Sequence, residues 1–446
     1  MNFLERLSQI SNLTLTSVLI LIAVGIIDIS IIRITDLLPR DPSSIEILAF
    51  FIILALTVIS CEFILLLRIG IMSSVIKKKN SEGFDWTYKA AIACSLLTSF
   101  VILALIVQMM VTTKYNVSFL TSVVIVCYSF ALTMMAILAQ KFLSWYNSRP
   151  NLTLMLFGLS SAVIFINLSM SLILVGYALV MKPTMVTPHV GSVFMTVPKE
   201  SILYWIKNCY EISSILSFVM MWFSTCTLLH HHSTHIGRLK FWLIVSLPLI
   251  VFLSQFTDLF TLLPSDVIRS NSVLYSIIFG LLFTYSKPVG GILFGISFWI
   301  ITHSVKESKI IRIYLTLSAY GIVLFFIANN AIVITSTPYP PFGIISTSLE
   351  GLASYLIFTG IYYSTLSLSV DNELERSIRR FASAESRFFH TMGRAEFVNR
   401  VWKFSRVVLE KTKEEVGVES SYDETSVLEY VDQVIDELKN KKSKDT

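Results

Sequence analysis

The chain has 446 residues, 54% of them hydrophobic and only 15% charged, with a mean hydropathy of +0.71. Soluble domains carry roughly 25% charged residues, so a water-soluble globule is excluded and the chain reads as membrane-integral. The net charge of +5 is small, and its uneven spread says more than its total; no nucleic-acid partner is expected.

In chain order, the opening "MNFLERLSQISNLTLTSVLILIAVGII" has a weak basic region, too long an apolar run and no A-x-A site. It reads as a retained first membrane helix rather than a signal peptide. A bilayer core of roughly 30 Å needs about 20 mostly apolar residues per crossing. Ten runs qualify: 14–34, 45–67, 87–111, 117–143, 151–181, 201–229, 239–263, 273–302, 309–333 and 342–368. They are continuous rather than alternating, which excludes a β-barrel and leaves helices as the only way to satisfy the backbone in lipid. The fold class is therefore an all-α polytopic membrane helix bundle of about ten transmembrane helices, covering 1–368. A short cytoplasmic helical tail, 369–446, follows.

With the N-terminus inside, the inner loops hold eleven basic residues: Arg68, Lys77, Lys78, Lys79, Lys141, Arg149, Arg238, Lys240, Lys306, Lys309 and Arg312. The outer loops hold six: Arg33, Arg40, Lys114, Lys182, Lys199 and Arg269. The positive-inside rule then places both termini in the cytoplasm, with the cell membrane as the location.

Ionisable groups inside hydrocarbon are costly, and each is a functional candidate. By depth, Asp28, Lys207, Glu211, Asp258 and Glu350 fall in the outer halves of their helices, with Asn329 and Asn330 near the outer end of the ninth. Glu62 falls near the inner end of the second helix, and Lys287 almost at the midpoint of the eighth. These residues, Glu62 apart, are the candidates for one outward-facing polar cavity taking a small cation or polar ligand. The competing reading is packing: Lys207 and Glu211, four apart, would neutralise each other, and Lys287 would pair with a carboxylate only to fix helix packing.

Lys287 sits in "TYSKPVGGILFG", 284–295. Pro288 removes a helical hydrogen bond and predicts a kink, while Gly291 and Gly295 form a GxxxG pair that admits another helix closely. Freed carbonyls beside a lysine resemble the discontinuous helices of secondary transporters. Ser160, Asn167 and Ser171 share a face of the fifth helix and predict interhelical hydrogen bonds. Asn116 stands in an N-x-S sequon, in a loop too short to favour modification. His230, His231, His232 and His235 form a headgroup-level cluster without the Cys or carboxylate partners of a metal set. The five cysteines, Cys61, Cys94, Cys127, Cys209 and Cys226, lie in apolar runs without CxxC spacing and read as packing residues. No P-loop, HExxH or GxSxG constellation occurs, so neither enzymatic activity, cofactor nor metal is expected.

The tail has two halves. Residues 372–413 carry ten Lys or Arg and five acidic residues, with apolar positions at Leu374, Ile378, Phe381, Phe388, Met392, Val398, Val401, Phe404 and Val408. That spacing predicts an amphipathic helix, with Gly393 as its one interruption. Residues 414–438 carry nine acidic residues and no basic one. The basic half suits anionic headgroups; the two halves together suit a hairpin, a homo-oligomeric coiled coil or a cytoplasmic protein partner through 372–438.

The segment "SVDNELERSIRRFASAESRFFHTMGRAEF", 369–397, resembles a group of polytopic membrane proteins of ammonia-oxidising archaea to which no activity is assigned. The resemblance implies a cell-membrane location and transfers no site residue. Two functions fit the sequence: a sensor or signalling protein with an outer polar cavity and an output tail, or a secondary transporter using Lys287 and the outer carboxylates.

Overall fold

A computed structural model describes residues 3–35, 45–77, 85–182, 184–186, 201–230, 237–254, 256, 272–304, 309–329, 334–335, 338–370 and 388–403. Ten long helices follow the ten apolar runs in order: α1 (Phe3–Thr35), α2 (Ile45–Lys77), α3 (Asp85–Thr112), α4 (Val117–Ser148), α5 (Leu152–Val180), α6 (Ile202–Leu229), α7 (Arg238–Ser254), α8 (Ser272–Ser304), α9 (Lys309–Ala328) and α10 (Ile344–Val370). A further helix, α11, occupies 388–403. Eight of the ten, all but α7 and α8, are long and apolar enough among the described residues to cross a membrane. The chain is an all-α, polytopic helix bundle.

The polarity of the bundle is inverted relative to a soluble protein. Phe100 and Val107 of α3, Met110 beyond them and Leu243, Leu247 and Ile250 of α7 are exposed, while Ser, Thr, Asn and Glu side chains fill much of the interior. Lipid solvates apolar side chains, so such helices gain their contacts from small and polar residues facing inward.

Helix α10 is the central post. Every residue from 344 to 366 is buried, and α10 packs against α1, α2, α3, α4 and α9. The remaining helices close an arc, α4 on α5, α5 on α6, α6 on α7 and α8, and α8 on α9. The sequence of α10 explains its place. It is the least hydropathic of the spans and carries Ser346, Thr347, Ser348, Ser354, Thr359, Ser364 and Thr365, all buried. Most of these hydroxyls donate to carbonyls three or four residues back, as for Ser354 to Glu350 at 2.8 Å, so they cost no unpaired donor.

Contact between α9 and α10 is backbone-close. A Cβ on Gly360 would stand 2.5 Å from the Tyr314 carbonyl oxygen and 2.7 Å from the Ser318 nitrogen. The GxxxG pair of α8 works in the same way: a Cβ on Gly295 would stand 2.8 Å from the Ala319 carbonyl oxygen of α9. The close approach expected of this motif is thus made, and its partner is α9. Through Pro288, α8 continues as one helix from Ser272–Ser304 rather than breaking into two.

At the end of the bundle opposite the basic loops, Tyr115–Asn116 and Met185–Val186 form a two-residue antiparallel clasp, β1 and β2, with Tyr115 facing Val186. Tyr115 donates its hydroxyl to the Pro338 carbonyl at 2.8 Å and stacks on Tyr339. Asn116 caps α4, its side chain accepting from the Ser118 N–H at 2.9 Å. The segment 338–343, "PYPPFG", is buried beneath this clasp and delivers the chain into α10.

At the basic end, α11 lies on the bundle. Phe388 meets Phe157 of α5 at 5.4 Å between ring centroids. Trp145 of α4 donates its indole N–H to Glu396 at 2.8 Å, Ser148 donates to Asn399, and Asn399 donates to Ser144 at 3.0 Å. Gly393 stays helical, and a Cβ there would meet Leu368 of α10 at 3.0 Å. The predicted amphipathic helix is therefore present over 388–403, its Phe388, Met392 and Val398 buried as the spacing required. The predicted positions Leu374, Ile378, Phe381, Phe404 and Val408, and the acidic half of the tail, lie outside the described residues.

Candidate functional site: a polar centre inside the bundle

Six helices converge on the upper interior of the bundle, and each brings a polar group. Lys287 of α8 donates to the Tyr210 hydroxyl of α6 at 3.0 Å and to the Asn329 backbone carbonyl, just past α9, at 2.9 Å. Its ammonium also lies 5.2 Å from the centroid of the Tyr210 ring, a cation–π distance. Asn329 donates its side-chain amide to Asn167 of α5 at 3.2 Å, and Asn167 donates to Ser213 of α6 at 3.1 Å. Glu350 of α10 is wholly buried within electrostatic reach of Lys287. Tyr128 of α4 stands within the same reach of Glu350 and Tyr210.

The hydrogen bonds of this centre are incomplete. Both carboxylate oxygens of Glu350, the hydroxyl of Tyr128 and the side-chain oxygen of Asn329 are buried without a hydrogen-bond partner. Buried polar atoms are paired in the great majority of cases, and an orphaned group costs about 1–3 kcal/mol, more for a charge. A carboxylate in this position needs a proton, a cation or the Lys287 charge.

Glu62 of α2 is a second buried carboxylate and accepts from Ser95 of α3 at 2.9 Å. The Cys127 thiol of α4 donates to the Ser348 carbonyl of α10 at 3.6 Å and is within electrostatic reach of Cys94 of α3, Glu62 and Glu350. Gly351 lies against this thiol pair, a Cβ there meeting the Cys94 sulfur at 3.3 Å. All five cysteines are free thiols.

Of the residues expected to share one outer cavity, the structure brings Lys287, Asn329 and Glu350 together. Three others have different places. Asp28 of α1 is wholly buried, but it caps α10: Oδ1 accepts from the Gly343 N–H at 3.0 Å and Oδ2 from the Ser346 N–H at 2.7 Å. The positive end of the α10 dipole and two otherwise unpaired amides hold the charge there. Lys207 and Glu211 of α6 form an i,i+4 pair at 3.6 Å, both partly exposed, which is the mutual neutralisation their spacing allowed. Asp258 and Asn330 lie outside the described residues. The side of the helix that each of these residues takes was not legible, because a continuous apolar run carries little rotational signal.

The Asp28 assignment makes a prediction. Asp28→Asn turns one acceptor into a donor facing an amide N–H, and should lower stability by about 1–2 kcal/mol. Thermal denaturation in detergent reads it; an unchanged midpoint would remove the capping role.

Tyr128, Tyr210 and Glu62 were not among the expected site residues. Tyrosine hydroxyls in apolar runs carry no periodic signal, and Glu62 looked shallow by position alone. Asn167 was legible as an interhelical donor and is one, as is Ser160, whose hydroxyl meets that of Ser224 at 2.7 Å. Ser171 turns instead to its own helix, donating to the Asn167 carbonyl. His230 ends α6 and meets Phe241 edge to face, while His231, His232 and His235 lie outside the described residues. No family model, curated protein or solved structure matches the chain.

Proposed function

We propose that this multi-pass membrane protein is a sensor or signalling protein whose ligand centre is the Glu350–Lys287 pair and whose output runs through α10 to α11. In this reading both termini are cytoplasmic, the membrane is the cell membrane, and a small cationic or polar ligand arrives from the outer side. No catalysis is assigned to it. One observation carries the proposal: α10 holds unpartnered Glu350 near one end and, near the other, touches Gly393 of the docked helix α11 at Leu368. A change of charge at Glu350 alters what α10 must face on five helices, and α11 is seated on the far end of that same post. Coupling of this kind needs an element with two arrangements that both ends bias.

The test is amide hydrogen exchange of the full chain in lipid nanodiscs, in mildly acidic and mildly alkaline buffer and with added sodium chloride. Protection over 388–403 should change with at least one condition in the wild type and stay constant in Glu350→Gln. Identical protection in every condition would remove the proposed coupling. The transporter reading retains one specific support, a lysine and a carboxylate within electrostatic reach of each other in the bundle interior. Solute-driven uptake into vesicles, lost in Lys287→Ala, would favour it instead.

A further inference from the structure

We infer that the ligand of the Glu350 centre is a proton, held on the Glu350 carboxylate and exchanged with the basic end of the bundle along hydroxyls of α9 and α10. The inference rests on the ligand centre proposed above but not on its coupling to α11.

The chemistry of the centre selects among small cations. A calcium ion takes six to eight oxygens and magnesium a near-octahedral set. The unpaired acceptors here are the two Glu350 oxygens, the Asn329 side-chain oxygen and the Tyr128 hydroxyl. Any metal cation among them would also meet the ammonium of Lys287, which is held by Tyr210 and the Asn329 carbonyl. A proton needs one oxygen. Once on Glu350 it removes the buried charge and converts an acceptor into a donor. The step balances simply: hydronium gives its proton to the carboxylate, leaving water and a neutral carboxyl, and the reverse step releases it. The groups around Glu350 that carry or can change charge are Lys287, Tyr210, Tyr128, Cys127, Cys94 and Glu62; Asp28 sits above at the α10 cap.

The way out lies below. Ser318 and Tyr314 of α9 face Gly360 of α10, and their hydroxyls are buried without a hydrogen-bond partner. Ten residues separate Glu350 from Gly360, about 15 Å along the helix. Unpaired hydroxyls in a protein interior are where bound water is held, and a few waters span such a distance. Beyond them Tyr314 stacks on Tyr363 at 5.5 Å, and Tyr363 adjoins Tyr362 at 5.7 Å. Lys141 stands 5.2 Å from the Tyr362 ring and 3.7 Å from Glu396. Below the centre, Ser318 and a row of tyrosine side chains therefore lie between Glu350 and a charged pair at the basic end.

Infrared difference spectroscopy of the full chain in liposomes, stepped between acidic and alkaline buffer, tests this. Beside any band from the other buried carboxyls, Glu62 and Asp28, the wild type should show one protonated-carboxyl band of Glu350 that moves in heavy water. The band should be lost in Glu350→Gln and displaced in Glu350→Asp, which keeps a carboxyl if the amide variant fails to fold. A band unaffected by both substitutions overturns the site. Sodium chloride added at constant acidity should leave the band intact; its loss with added sodium would make the ligand an alkali cation and overturn the inference. After a rapid pH step, the band should form more than about tenfold more slowly in Tyr314→Phe/Ser318→Ala. An unchanged rate in that variant removes the path. If the band behaves as stated while protection over 388–403 never changes, the proton site stands and the signalling reading falls.

Discussion

Replacing Gly360 by alanine should destabilise the bundle by about 3 kcal/mol or more, the upper range for overpacking a tight interior. A single methyl group there would press on the backbone of α9 at three atoms, the Tyr314 carbonyl oxygen at 2.5 Å, the Ser318 nitrogen at 2.7 Å and its Cβ at 2.6 Å. Backbone cannot swing aside as a side chain can, so α9 and α10 would have to separate. Their separation would loosen the burial of the central post on which every other α10 contact depends. The control is Gly176→Ala in α5, where a Cβ would meet nothing within 4 Å. There the change should be neutral or stabilising by up to about 1 kcal/mol, the difference in helix propensity. Thermal unfolding of both variants in one detergent decides the matter. Equal midpoints would mean that α9 and α10 do not approach this closely.

Removing the Lys287 charge should have the second largest effect, and the form of the effect matters more than its size. Lys287→Met keeps the chain's length and deletes its ammonium, leaving Glu350 without its opposite charge in a buried position. Breaking one side of a bonded buried pair costs about 3–5 kcal/mol, while replacing both sides with neutral groups is often close to neutral. Lys287 and Glu350 act on each other without a hydrogen bond, so the loss here should be smaller, about 1–3 kcal/mol. The double variant Lys287→Met/Glu350→Gln should therefore be more stable than Lys287→Met alone. A double-mutant cycle should give an interaction of about 1–3 kcal/mol. Additive losses would show that the two groups do not sense each other. The two hydrogen bonds from Lys287 to Tyr210 and the Asn329 carbonyl are lost in both the single and the double variant, so they cancel in the comparison.

Much of this protein was legible in its residues. The apolar runs located ten helices in order, because the length of a bilayer crossing and the demand for internal backbone hydrogen bonds leave helices little freedom. The seventh helix is described to Ser254 and the ninth to Ala328; 257–263 and 330–333, within the expected runs, lie outside the described residues. Gly291 and Gly295 announced a close helix contact, and the spacing of Phe388, Met392 and Val398 announced an amphipathic helix. Lys287, Asn329 and Glu350 could be named because a charge or amide in an apolar run is conspicuous.

What the tertiary structure decided was direction around each helix axis and identity of neighbours. Asp28 and Glu350 are both wholly buried carboxylates, yet one caps a helix with two backbone amides and the other is left without a hydrogen-bond partner. The sequence around them does not differ in any way that predicts this. The central place of α10 was written only faintly, in its serines and threonines and its lower hydropathy. Hydropathy records how far a residue sits from water, and in a bilayer that is set by position along the helix. Which side faces lipid and which faces protein depends on contacts between segments far apart in the chain, such as Asp28 with Ser346, 318 residues apart, or Asn167 with Asn329, 162 apart. Those contacts exist only once the helices are assembled.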